Sequence, residues 1–155
     1  MAIFQELSFR EKSTLASLLA VLFVFGGYFA DLLAGAGPHD LTTMLGKSAA
    51  LVISVIVVQL IFQTLAGMFD VKGAEAAVDE RDLLVRGRAV AISHLVLSVG
   101  AIVVLSRIVI RGAMDEAAGQ ADVTLFEVAN LLLFFFVLSE LVNYGAQLFF
   151  YRRGF

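Results

Sequence analysis

The sequence predicts an all-α integral membrane protein with four transmembrane helices, and two observations carry that prediction. Hydrophobic residues make up 60% of the 155-residue chain and charged residues only 16%, whereas an average soluble domain carries about 25% charged residues. The apolar residues fall into four runs of roughly 20 residues, the length that crosses a hydrocarbon core about 30 Å thick. We therefore expect a single membrane domain, with the lipid bilayer as its first partner.

The first predicted helix covers residues 13–33 and contains one charged residue, Asp31. This run is longer than the roughly 7–15 apolar residues of a cleaved signal peptide, so we expect it to be retained as a helix. We expect Gly37-Pro38 to end it, because proline cannot continue a helix. Residues 40–47 are then expected to form a short polar link.

The second predicted helix covers residues 49–69 and contains no charged residue. A connector over residues 70–88 leads to the third predicted helix, residues 89–110. The fourth predicted helix covers residues 124–150. Because it is longer than a perpendicular span requires, we expect it to tilt or to extend beyond the bilayer.

The distribution of lysine and arginine predicts the orientation, because cytoplasmic loops carry an excess of these residues. The predicted cytoplasmic side holds eight of them: Arg10, Lys12, Lys72, Arg81, Arg86, Arg88, Arg152 and Arg153. The opposite side holds three: Lys47, Arg107 and Arg111. We therefore expect both termini and the connector to be cytoplasmic.

The longest charged run, Glu75–Arg88, consists mostly of good helix formers. We expect it to form a cytoplasmic helix that is continuous with the third helix. Within it, Asp82 and Arg86 stand in the favourable acid-before-base i,i+4 order. Two interpretations remain open, a solvated connector that sets the topology and a docking surface for a partner. The candidate interaction surface consists of Asp79, Glu80, Arg81, Asp82, Arg86 and Arg88.

This run also carries a resemblance to a known group of proteins. Asp79-Glu80-Arg81-Asp82, followed by Arg86 at a membrane boundary, resembles a motif of small bacterial four-helix inner-membrane proteins. The start Phe9-Arg10-Glu11-Lys12-Ser13, and Tyr28-Phe29 near the far end of the first helix, are similar to the same group. The resemblance implies a location in the bacterial inner membrane and supplies no catalytic residues.

The two halves of the chain are weakly similar to each other. Arg10-Glu11 and Arg81-Asp82 each precede a helix that enters from the predicted cytoplasmic side, and residues 59–73 align with residues 140–154. Two tandem helical hairpins of the same orientation would be related by an axis along the membrane normal. Chance similarity between apolar segments explains the alignment equally well.

Several polar residues are expected at membrane depth around Glu140, near the middle of the fourth helix. A charge at the centre of a spanning helix costs about 2.5–3.5 kcal/mol, so it needs a partner or water. One interpretation is a hydrogen-bonded cluster that holds helices together, and the other is a protonatable site or a water-filled vestibule. The candidate intramembrane polar site consists of Glu140, His94, Asn143, Tyr144, Gln147, Gln59 and Gln63.

A candidate ion pair lies near the opposite end of the helices, where Arg107 can reach either Asp31 or Glu127. Helical geometry links this pair to the polar site. His94 and Arg107 are thirteen residues apart, as are Glu127 and Glu140, and thirteen residues rotate a helix by about 220°. If Arg107 faces Glu127 squarely, His94 therefore cannot face Glu140 along the same seam.

Several function classes have no support in the sequence. There is no cysteine, and His39 and His94 lack ligand spacing, so we expect neither a metal nor another cofactor. The net charge of −3 gives no basic field for nucleic acid. No catalytic motif occurs, so we expect no enzyme.

Two functions are left by these exclusions. The first is a membrane protein that acts by assembly, as a homo-oligomer or as an accessory subunit of another membrane protein. The uniformly apolar residues 131–138 and the charged connector favour it. The alternative is a proton- or cation-linked transporter or channel for small solutes, centred on Glu140.

Overall fold

The computed structural model describes residues 8–38, 40–69, 79–118 and 124–153; within these helices the side chains of residues 62, 63, 65–69 and 115–118 are outside the description. In these ranges the chain forms four helices and no strand. The helices are α1 (Phe9–Leu33), α2 (Leu41–Phe69), α3 (Glu80–Ala118) and α4 (Leu125–Arg153). Each is long and apolar enough to cross a membrane. The predicted all-α fold of four membrane-length helices is therefore confirmed.

The helices α1 and α3 begin in the same way. The Ser8 hydroxyl accepts a hydrogen bond from the Glu11 backbone N–H at 3.3 Å, and the Glu11 carboxylate accepts one from the Ser8 backbone N–H at 2.8 Å. At the start of α3, the Asp82 carboxylate likewise accepts a hydrogen bond from the Asp79 backbone N–H at 3.2 Å. In both cases an acid at the third helical position satisfies a free N–H group. Glu11 and Asp82, the acidic residues of the two similar pairs, therefore share a role in helix capping.

The end of α1 corrects the expectation that Gly37-Pro38 stops this helix. The helix ends at Leu33, and Gly35 has a positive φ of 74°. The Gly35 N–H donates to the Leu32 carbonyl at 3.2 Å, and the Ala36 N–H donates to the Asp31 carbonyl at 2.9 Å. This pair of hydrogen bonds is the Schellman motif, which requires a residue that tolerates the left-handed conformation.

The start of α2 corrects the polar link expected over residues 40–47. The helix begins at Leu41, so nearly all of that segment is helical. The Asp40 carboxylate accepts hydrogen bonds from the Thr43 backbone N–H at 2.8 Å and from the Thr43 hydroxyl at 2.6 Å. Asp40 thus caps the helix, a role for which aspartate is strongly preferred.

The third helix includes the charged run, as predicted, and is longer than predicted at its carboxyl end. Glu80–Arg88 is continuous with the spanning segment, as expected for the charged run, and α3 continues to Ala118 rather than ending at residue 110. The remaining connector residues, 70–78, lie outside the described part of the chain. The fourth helix extends three residues beyond the predicted end.

The helices form an open row in the order α2, α1, α4, α3. The fourth helix packs against α1 and α3 extensively and touches α2, and α1 also packs against α2. The helices α2 and α3 are not packed against each other in the described part of the chain. The core of the row lies between α1, α2 and α4 and is built on Val21, Phe25, Val55 and Val137.

An antiparallel seam joins α3 to α4. Contacts between Asp82 and Tyr151, between Gly100 and Phe135, and between Arg107 and Glu127 all keep one register. Gly100 is required at its position, because a Cβ atom there would overlap the Phe135 ring.

Candidate functional site along helix α4

A row of polar side chains runs along α4, and we call Glu140, Asn143, Tyr144, Gln147 and Tyr151 the polar stripe. These residues follow one another at intervals that keep them on one side of the helix. Gln147 is buried and its amide donates a hydrogen bond to the Asn143 side-chain oxygen at 3.0 Å. The stripe begins near the middle of α4 and ends in its last turn, about 16 Å away along the axis.

The Tyr151 end of the stripe is tied to two other helices. The Arg10 guanidinium lies 3.0 Å from the Asp82 carboxylate, and the Tyr151 hydroxyl donates to the same carboxylate at 3.2 Å. The Arg81 guanidinium donates to the Tyr151 carbonyl at 2.9 Å. We call these four residues the end cluster. It joins the first turns of α1 and α3 to the last turn of α4.

The end cluster changes the interpretation of the charged run. Asp82 pairs with Arg10 rather than with Arg86, the partner that i,i+4 spacing predicted, and only 16% of its side chain is exposed. Asp79, Glu80, Arg81, Arg86 and Arg88 remain exposed. No local spacing could reveal the Arg10–Asp82 pair. The signal available was that both residues belong to the two motifs that carry the resemblance.

Tyr144 joins the middle of the stripe to α2. Its ring packs against the core that α1, α2 and α4 share, on the side of the helix where Gln59 of α2 lies near its hydroxyl. Glu140 and Arg86 are near enough to act electrostatically on the same phenol. The structure therefore brings four polar residues from three helices into one region.

Glu140 itself is only partly buried. It forms no hydrogen bond or ion pair with any residue that the structure describes, and the Gln63 side chain lies outside that description. Its position on α4 is about half-way along the helix, where hydrocarbon surrounds a transmembrane segment. The carboxyl group is thus placed where a partner, water or lipid has to cover it.

His94 does not join Glu140 in the described structure. The α3–α4 register places the two residues at the same level, but His94 is exposed and its Nδ1 atom lies 3.5 Å from the Ser98 hydroxyl. The α3 seam is instead formed by residues such as Val85, Ala89 and Val104.

The ion pair at the other end of the row forms between α3 and α4. Arg107 and Arg111 each lie 3.7 Å from the same Glu127 carboxylate oxygen. Asp31 is exposed and is not part of this group. Arg111, which was not expected here, follows Arg107 by four residues and so shares its face. With Arg107 facing Glu127, the thirteen-residue spacing turns His94 away from Glu140.

A buried polar contact that sequence reasoning missed links three helices near this end. The Tyr28 hydroxyl donates to the Asn130 side-chain oxygen at 2.7 Å. The Asn130 amide nitrogen donates to the Phe126 carbonyl at 2.9 Å and contacts the Met44 sulfur at 3.4 Å. Asn130 stands out only as a polar residue inside an apolar run, and its partners lie far away in sequence.

The chemistry of these sites is that of proton exchange, ion pairing and hydrogen bonding. Among the described residues, no group of three histidine, cysteine or acidic side chains is placed to hold a metal ion. The polar stripe offers a carboxyl, two phenols and two amides. Such groups can bind a partner helix, water, a proton or a cation.

Comparisons with known protein families, with characterised proteins and with solved structures found no match to this chain.

Proposed function

We propose that this protein is a non-enzymatic component of the bacterial inner membrane that acts by assembly. Its partner is a second copy of the chain or another membrane protein, and both termini lie in the cytoplasm. The observation that carries the proposal is the open row of helices, which leaves Glu140 partly exposed at mid-depth. The resemblance to small four-helix inner-membrane proteins and the lysine and arginine distribution support the location and the orientation.

The energetic argument concerns what covers Glu140. Exposed apolar side chains on α2 and α3 are compatible with lipid, because a bilayer solvates them. A charged carboxyl facing hydrocarbon is disfavoured by about 2.5–3.5 kcal/mol. A polar side chain from a partner helix would remove that cost and add an interhelical hydrogen bond worth about 0.6–2 kcal/mol. The Glu140 carboxyl, which raises the free energy of the isolated protein in the bilayer, therefore favours assembly.

The test is the size of the particle in mild detergent or in nanodiscs, measured for the wild type and two variants. Glu140→Gln keeps shape and hydrogen bonding, so the assembly is expected to persist. Glu140→Leu removes both and is expected to weaken it. Thr64→Val, an exposed position on α2, is the control and should assemble like the wild type. A wild-type protein that is strictly monomeric and co-purifies with nothing contradicts the proposal.

The alternative function, a proton- or cation-linked transporter or channel, is favoured by one observation. The polar stripe connects Glu140 at mid-depth to the end cluster, so polar groups continue from the middle of α4 to the end of the row. This function predicts that Glu140→Gln abolishes flux in proteoliposomes loaded with a pH-sensitive dye, although the particle size stays unchanged. Equal flux in the wild type and in Glu140→Gln rules it out.

A further inference from the structure

A pocket of about 390 Å³ lies between α1, α3 and α4, at the end of the row opposite the end cluster. Its charged lining residues are Arg107 and Glu127, and its walls include Phe29, Phe126, Leu131 and Phe134. Phe134 lies seven residues from Glu127 on α4, about 10 Å deeper along the axis. Leu131 and Phe134 thus extend the pocket deeper than its charged residues, whereas Phe126 lies at the level of Glu127.

Among the residues that the structure describes, two arginines and one carboxylate meet at the charged side of the pocket. Arg107 and Arg111 share a single Glu127 carboxylate oxygen, which can balance only one of them. Both distances are 3.7 Å, longer than the roughly 2.7–3.2 Å of an N–H···O hydrogen bond. Glu127 therefore accepts no hydrogen bond from either guanidinium group. With the residues that the structure describes, these two arginines form no other ion pair or hydrogen bond. Arg107 and Glu127 line the pocket, Arg111 reaches it through its own contact with Glu127, and Asp31 does not line it.

The two sides of the pocket match the two parts of a phospholipid. Guanidinium groups pair with phosphate oxygens in bidentate geometry, and they do so better than ammonium groups because of their planar fork. The aromatic walls favour an apolar chain over water. In a bilayer the phosphate stands directly above the start of the acyl chains, as the arginines at Glu127 stand above Leu131 and Phe134 here.

We propose that Arg107 and Arg111 bind the phosphate of a membrane phospholipid, and that the pocket beside the packed rings of Phe29 and Phe134 holds the upper part of one of its acyl chains. This site is independent of the assembly proposed through Glu140, which lies at mid-depth on α4. A free phosphate ion has the same anionic chemistry but has nothing to place against the aromatic walls.

The test measures the thermal unfolding midpoint of the full chain in a neutral detergent while a probe is titrated. The probes are dihexanoyl phosphatidylglycerol, glycerol phosphate as the headgroup alone, and dihexanoyl glycerol as the chains alone. The variant Arg107→Gln/Arg111→Gln removes two charges at the site. The control Lys47→Gln/Arg152→Gln removes two charges from exposed positions elsewhere. A third variant, Leu131→Phe, fills the pocket without changing the charge.

We expect phosphatidylglycerol to stabilise the wild type at a lower concentration than either fragment does. The arginine variant should need about tenfold more of it for the same shift, equivalent to about 1.4 kcal/mol of binding free energy. Leu131→Phe should also weaken the response, and the control should match the wild type. Each titration is referred to the variant's own midpoint without a probe, so a less stable variant remains informative.

Three results would overturn the proposal. One is an equal response of the wild type and the arginine variant to phosphatidylglycerol. Another is an equal loss in the arginine variant and the control, which would indicate non-specific attraction to basic residues. The third is glycerol phosphate acting as well as phosphatidylglycerol, which would indicate a site for a free phosphate group rather than a lipid.

Discussion

At the scale of single residues, Asp82 has three roles that its two carboxylate oxygens share. One oxygen caps α3 and pairs with Arg10, and the other accepts the Tyr151 hydroxyl. Because only 16% of the side chain is exposed, water competes less for these bonds than at an open surface pair, where an ion pair contributes about 0–1 kcal/mol. We therefore regard the end cluster as a cohesive contact between three helices.

The first prediction tests whether the Arg10–Asp82 ion pair contributes more to stability than an ordinary surface charge does. Asp82→Asn keeps the size of the side chain but removes its charge, and it is expected to destabilise the protein by about 1.5–3 kcal/mol, the range for hydrogen bonds to charged groups. Glu80→Gln, at the exposed neighbouring position, should change stability by less than about 0.5 kcal/mol. Unfolding in detergent measures both. In a double-mutant cycle with Arg10→Gln, additive losses would mean that the ion pair contributes nothing.

The second prediction concerns the buried contact between Tyr28 and Asn130. Asn130→Leu leaves the Tyr28 hydroxyl without its acceptor, and a buried unsatisfied polar group costs about 1–3 kcal/mol. Adding Tyr28→Phe to that variant removes the stranded hydroxyl and should recover part of the loss. The thermal unfolding midpoints of the single and double variants test this. If Tyr28→Phe does not recover stability in the Asn130→Leu background, the loss of stability does not come from the broken hydrogen bond.

At the scale of helices, the sequence predicts features that depend on local composition. It does not predict a helix end whose position is determined by one residue. The four apolar runs locate α1 to α4 because the length of an apolar run is a local property. The start of α2 was misplaced by eight residues because Asp40, read as part of a polar link, is its cap. The Schellman end of α1 depends on the conformation of Gly35, which composition does not reveal.

Contacts between helices were the least predictable feature of the candidate sites. The Arg10–Asp82 and Tyr28–Asn130 contacts join residues far apart in sequence, so they follow from the register of helix pairs rather than from spacing. The Arg107–Glu127 pair was within reach of sequence reasoning because both residues stand near the same end of neighbouring helices. The α3–α4 seam also determines that the His94 side chain faces away from α4.

The third prediction tests the α3–α4 seam. Gly100→Ala places a methyl group against the Phe135 ring, and overpacking of this kind typically costs about 1–3 kcal/mol. Gly87→Ala and Gly112→Ala lie on the same helix with nothing within 4 Å of the added carbon, and alanine is favoured over glycine in a helix by about 1 kcal/mol. The unfolding midpoint in detergent should therefore fall for Gly100→Ala and rise for Gly87→Ala and Gly112→Ala. A Gly100→Ala variant as stable as the two controls would show that the helices do not approach closely here.

At the scale of the whole molecule, the two ends of the row have different chemistry. One end holds the end cluster and most of the lysine and arginine residues, and the other holds Arg107, Arg111 and Glu127 beside an aromatic pocket. Lysine and arginine near the ends of transmembrane helices favour the cytoplasmic side. The orientation proposed from this asymmetry places the end cluster in the cytoplasm and the pocket in the opposite leaflet.

The fourth prediction tests that orientation with single cysteines, since the chain contains none of its own. Thr42→Cys lies at the start of α2 and Glu80→Cys at the start of α3, and both positions are exposed. A membrane-impermeant thiol reagent applied to intact spheroplasts should label Thr42→Cys at once and Glu80→Cys only after permeabilisation. The two helix starts face opposite sides of the bilayer in either orientation, so one site should be accessible and the other protected before permeabilisation. Labelling of both sites would indicate leaky membranes. The reverse pattern, with Glu80→Cys labelled and Thr42→Cys protected, would invert the topology and place the phospholipid pocket in the cytoplasmic leaflet.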